Sequence, residues 1–124
     1  MIAAVHRCAV RIMTLRIVSS FRMQAIGTTH PRDVDLSRLT APVTKIVGTR
    51  DGIAKPEGVE TNRAKLPAAT DWVWVEGGNH SQFGWYGFQP GDRRATVPAD
   101  VQHTITIRAV LQVLAQVRAV PPAS

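Results

Sequence analysis

Two short apolar runs decide what this chain can fold into. "VTKIVG", residues 43–48, is β-branched and ends in a glycine, and "DWVWVEGG", residues 71–78, alternates in polarity and ends in two. Both read as strands. Between them, "TRDGIAKPEG" carries Asp51-Gly52, the strongest turn pair in the chain, and Pro56 is placed to open a helix over "EGVETNRAKLP" that Pro67 stops. Strands separated by a helix pair in parallel through a right-handed crossover, so the expected class is α/β. "ADVQHTITIRAVLQVLAQV", residues 99–117, closes the unit as a C-terminal helix opened by Pro98 or Asp100 and ended by Pro121-Pro122. Its apolar positions Val101, Ile105, Ile107, Leu111, Leu114 and Val117 fall roughly on one face, the face expected to pack.

Length and composition narrow the class of function. The 124 residues, 44% hydrophobic, make room for one globular domain with a moderate core. No apolar run approaches the ~18–20 residues of a membrane span. Cys8 is the only cysteine, which excludes an internal disulfide and a zinc site built on cysteine pairs. A reducing, cytoplasmic location is the expectation.

The net charge of +6 points first to an acidic partner. Its distribution argues otherwise. Arg7, Arg11, Arg16, Arg22 and Arg32 lie in the first 32 residues, which hold no Asp or Glu, whereas residues 33–124 carry 10 Lys/Arg against 9 Asp/Glu. The basicity therefore belongs to an N-terminal arm, residues 1–27, and residues 28–120 form the nearly neutral β/α unit. Nucleic acid is not the expected partner. Ile2, Val5, Ala9, Ile12 and Met13 recur at helical spacing in the arm, which reads as a leader foreign to the domain, as a helix packed on it, or as a targeting segment.

In a parallel α/β sheet, chemistry gathers at the carboxyl ends of the strands. Asp51 follows the end of the first strand and His80, in "EGGNHSQFGWYGF", follows the end of the second. On adjacent strands the two side chains would meet. A carboxylate beside an imidazole fixes the ring's tautomer and stabilises the imidazolium formed when the other nitrogen takes a proton. Alone, Asp51 reads more readily as a turn residue and His80 as a loop residue. The order strand-Asp, helix, strand-His favours the pair.

Residues 41–114 resemble the C-terminal part of an α/β-hydrolase-fold protein. The carrying motifs are "GTRDG" at the end of one strand and "GGNHSQFGWYGFQPGD" after the next, with Ser81, Gln82, Phe83, Gly84, Tyr86, Gly87, Gln89 and Asp92 matching the pattern around the histidine. Trp85, Phe88 and Arg93-Arg94 depart from it. The resemblance implies Asp51 as triad acid, His80 as triad base, and hydrolysis of a small ester or acyl substrate without metal or cofactor. Phe83, Trp85 and Tyr86 are the expected substrate wall. The remaining aromatics, Trp72, Trp74 and Phe88, are expected in core and pocket wall.

The nucleophile is the gap. The fold places it on a G-x-S-x-G elbow before the acid, and no such motif occurs in the 124 residues. Ser19, Ser20 and Ser37 lack flanking glycines, and Cys8 lacks the elbow as well. Three readings follow: a C-terminal part of a serine hydrolase, a catalytically silent remnant, or a binding module with a basic arm. With two strands expected, "VTKIV" would be an exposed edge through which copies self-associate.

Overall fold

The computed structural model of the chain describes residues 22–118. Nearly all of the basic arm lies outside the described residues. Three parallel strands, β1 (Met23–Ile26), β2 (Val43–Gly48) and β3 (Asp71–Val75), form one sheet in the order β1-β2-β3. The strand that sequence patterning missed is β1, which places the end of the segment read as an arm inside the sheet. "MQAI" is four residues long with a polar second position, too short for alternation to show.

β1 also corrects the expected exposed edge. "VTKIV" belongs to β2, which pairs on both sides and is buried along its whole length. The sheet edges among the described residues are those of β1 and β3. A β-branched run reads the same at an edge as at the centre, so the error lay in the strand count.

The register sets the two faces. Ile46 lies opposite Val73 and Gly48 opposite Val75, so Ile46, Val73 and Val75 share a side. Ile46 and Val75 are fully buried there with Ala109, and Val73, Phe83 and Ile105 pack around them. Full burial of each such aliphatic side chain contributes about 1.5–3 kcal/mol. The opposite face carries Lys45 beside Trp72 and Val47 beside Trp74. There the two indoles stack at 6.0 Å, and the Arg63 guanidinium lies 4.2 Å from the Trp72 ring. Trp74 stays on the surface at 36% exposure, so this pair is an outer shelf and not the expected core.

The crossover helix is shorter than the sequence pattern predicts. α1 spans Pro56–Thr61 with the proline in its first turn, and a 3-10 turn at Arg63–Lys65 follows. Asn62 divides them. Its side-chain amide donates to the carbonyls of Gly58 and Thr29, an alternative to helical bonding that Asn takes readily.

Lys45 is the anomaly of the central strand. It is 1% exposed, and its ammonium donates to the carbonyls of Thr28 (2.6 Å) and His30 (2.7 Å), tying the β1–β2 connection to β2. Burial lowers its pKa from 10.5 to about 8. The unfolded chain therefore binds more protons than the folded one between those two values, so stability rises as pH increases through that window. The rise has an upper limit of about 3 kcal/mol, because the two carbonyls favour the charged form. Urea melts at pH 7, 9 and 10.5 are expected to show it in the parent and not in Lys45→Met. Equal pH dependence in the two proteins would contradict the assignment.

α2 (Ala99–Arg118) packs on the Ile46 face, but not by the stripe expected from sequence. Gln102, Ala109 and Val113 are buried, whereas Val101, Ile107, Leu111, Leu114 and Val117 are exposed and only Ile105 of the expected set reaches the core. The rotation has a polar cause. Gln102 is wholly buried and bonds the backbone of Asn79 through both amide atoms, which turns the 102-105-109-113 stripe to the sheet. Among the described residues no helix is long and apolar enough to cross a membrane.

Candidate active site

The carboxyl ends of β2 and β3 are sewn together by backbone. Thr49 N–H donates to Val75 O (3.1 Å) and Arg50 N–H to Gly78 O (2.8 Å). A side chain at residue 48 would prevent this, since a Cβ there would stand 2.6 Å from Gly78 O. Glycine is therefore required by the close approach of two chains. The consequence is that the residues just beyond each strand face each other.

Asp51 is one of them, and it is 0% exposed. Its Oδ1 accepts from the amides of Ile53 (2.9 Å) and Ala54 (2.6 Å), the turn that an Asp-Gly pair favours. Its Oδ2 lies 3.0 Å from Nδ1 of His80, 29 residues along the chain. With Nδ1–H donating to the carboxylate, Nε2 carries the lone pair. A base is thus presented by a ring whose orientation is fixed from behind.

A second layer holds the histidine loop. Gln102 accepts from Asn79 N–H and donates to Asn79 O, while the Asn79 side chain donates to Arg93 O and accepts from Gln82 N–H. The next clamp is Asp92. Its Oδ1 accepts from Gly52 N–H at 2.8 Å, beside the acid, and its Oδ2 accepts from Ser81 N–H (2.8 Å) and Ser81 Oγ–H (2.6 Å), beside the base. One carboxylate spans the two loops. Burial raises the Asp92 pKa, but the Ser81 hydroxyl and the Gly52, Ser81 and Arg93 amides outweigh it and leave it below 3.8. Ser81 is committed by the same network, donating to Asp92 and accepting from Gln89 N–H, so it has no hydroxyl proton to offer His80.

The candidate wall residues separate. Phe83 sits beside His80: a Cβ at Gly27 would lie 2.9 Å from the Phe83 ring and 3.5 Å from His80 Nδ1. Trp85 leaves that group and lies on His103 of α2, with ring centroids 4.1 Å apart. The Tyr86 ring lies against Gly84 and is largely exposed, as is Phe88. These aromatics are surface and cavity rim, not core. Sequence reasoning missed Gln102 and the bridging role of Asp92. A polar residue on a helix stripe that is otherwise apolar is the one signal that marks Gln102. Among the described residues no three His, Cys, Asp or Glu side chains gather as a metal group.

Parallel strands joined by crossover connections, with an Asp and a His meeting at their carboxyl ends, define an α/β-fold protein. A family model described as the alpha/beta hydrolase family matches residues 23–104, and the chain belongs to that family. The match begins at β1, the strand absent from the pattern reading. Comparison with curated proteins and with solved structures returned no match.

Proposed function

We propose that Asp51 and His80 serve as acid and base in Ser-His-Asp hydrolysis of an ester or related acyl bond. The carrying observation is the 3.0 Å contact between Asp51 Oδ2 and His80 Nδ1, which leaves Nε2 as the proton acceptor. Supplied with a serine from outside these 124 residues, His80 would take its proton as the oxygen attacks the acyl carbon. It would then return that proton to the leaving alkoxide, and repeat the cycle with water on the acyl-enzyme. Phe83 would flank the substrate, and no cofactor enters the scheme.

Without a serine, Nε2 can still deprotonate water, and positioned general bases contribute typically ~10²- to 10⁴-fold. Slow turnover of p-nitrophenyl acetate by the purified chain is the expected result, lost in His80→Ala. A second reading rests on the missing G-x-S-x-G motif: a silent remnant whose acid–base pair persists without a substrate. Release of p-nitrophenolate no faster than buffer would favour that reading and defeat the first for this polypeptide.

A further inference from the structure

Three of the positions at which the histidine loop departs from the pattern it otherwise follows come together in space. Trp85, Phe88 and Arg94 line one cavity of about 470 Å³, closed on the α2 side by Ala99 and His103. Asp51 and His80 are not among its walls. The volume falls within the ~300–1,000 Å³ typical of small-molecule sites.

Its chemistry is that of a site with unmet needs. Trp85 is 87% exposed and Phe88 59%, so two aromatic faces stand at the rim where a flat apolar group would cover them. The Arg94 guanidinium takes part in no ion pair among the described residues. On the wall behind Trp85, both ring nitrogens of His103 are out of solvent and, among the described residues, without a hydrogen-bond partner. A buried polar atom left unpaired costs about 1–3 kcal/mol, so a group able to pair with His103 is favoured there. One unpaired guanidinium matches one carboxylate, in a geometry arginine can engage bidentately.

We propose that this cavity binds a small monocarboxylate carrying an aromatic ring, its carboxylate on Arg94 and its ring against Trp85 and Phe88. The site adjoins the histidine loop through Asn79 and Ser81, but Asp51 and His80 are not in its lining and binding does not depend on turnover.

Isothermal titration of the full chain with 3-phenylpropionate tests it, with the uncharged 3-phenylpropionamide as comparison. Saturable binding of the acid is expected. The amide, and the acid with Arg94→Gln, are expected to bind at least about tenfold more weakly, the worth of a hydrogen bond to a charged group. Trp85→Ala should weaken both ligands, and His80→Ala should leave the affinity for the acid unchanged. Arg94 and Trp85 are exposed, so their replacement leaves the fold intact, which circular dichroism checks. No saturable heat, equal affinity for acid and amide, an unaffected Arg94→Gln, or loss of binding in His80→Ala would each overturn the proposal. Because binding is read without catalysis, an inactive chain that binds the acid would defeat only the hydrolase reading.

Discussion

Asp51→Asn is expected to reduce His80-dependent ester turnover on the order of 10²- to 10⁴-fold while leaving the fold in place. The reason lies in the two sides of the carboxylate. Oδ1 faces two donors, the amides of Ile53 and Ala54, and the side-chain NH2 of an asparagine cannot point at them without opposing two N–H groups. The asparagine carbonyl therefore takes that side and its NH2 turns to His80. Nδ1 must then accept instead of donate, the ring proton moves to Nε2, and the lone pair aimed at the substrate side is gone. Steady-state p-nitrophenyl acetate kinetics, with a thermal melt alongside, check the prediction. Parent-like turnover in Asp51→Asn would mean that the carboxylate does not govern the ring.

Gly48→Ala is expected to have the largest effect on stability, about 3 kcal/mol, or a fall in Tm of roughly 12–24 °C for a domain of this size. The added methyl would meet Gly78 O at 2.6 Å and Gly78 C at 2.9 Å. Both are backbone atoms and have no rotamer by which to retreat. Relief requires the ends of β2 and β3 to separate, which stretches the Arg50 N–H to Gly78 O bond and moves Asp51 from His80. Gly58→Ala in α1 is the control, because its nearest neighbour is the Thr29 methyl at 3.3 Å and alanine favours a helix. Circular dichroism melts should separate the two by most of the predicted interval. Similar Tm values for both would refute the backbone-clash argument.

The Asp51–His80 contact is legible because its signals are local: a β-branched run into Asp-Gly, an alternating run into Gly-Gly-Asn-His, and a helix between them. Parallel pairing then supplies the contact across 29 residues. What the sequence pattern hid is what depends on tertiary partners. β1 is too short to alternate visibly, and its absence from the count turned the central strand into an apparent edge. The packing stripe of α2 is hidden because hydrophobicity alone favours Ile107, Leu111 and Leu114, whereas two hydrogen bonds between the Gln102 side chain and the Asn79 backbone, one accepted and one donated by Gln102, set the rotation of the helix. Proximity in sequence groups Trp85 and Tyr86 with Phe83. The 3-10 turn over Ser81–Phe83 ends at Gly84 in extended backbone, which separates them, with Phe83 beside His80 and Trp85 on His103.

Nitrogen-15 NMR of the His80 imidazole, assigned by the signals missing in His80→Ala and recorded with the ring neutral, tests the central claim most directly. The geometry predicts a protonated Nδ1, a lone pair on Nε2, and an Nδ1 proton shifted far downfield by its bond to Asp51, with the protonated and unprotonated nitrogens exchanged in Asp51→Asn. A parent spectrum with the proton on Nε2 would contradict it, because the ring would then have no base to offer a nucleophile.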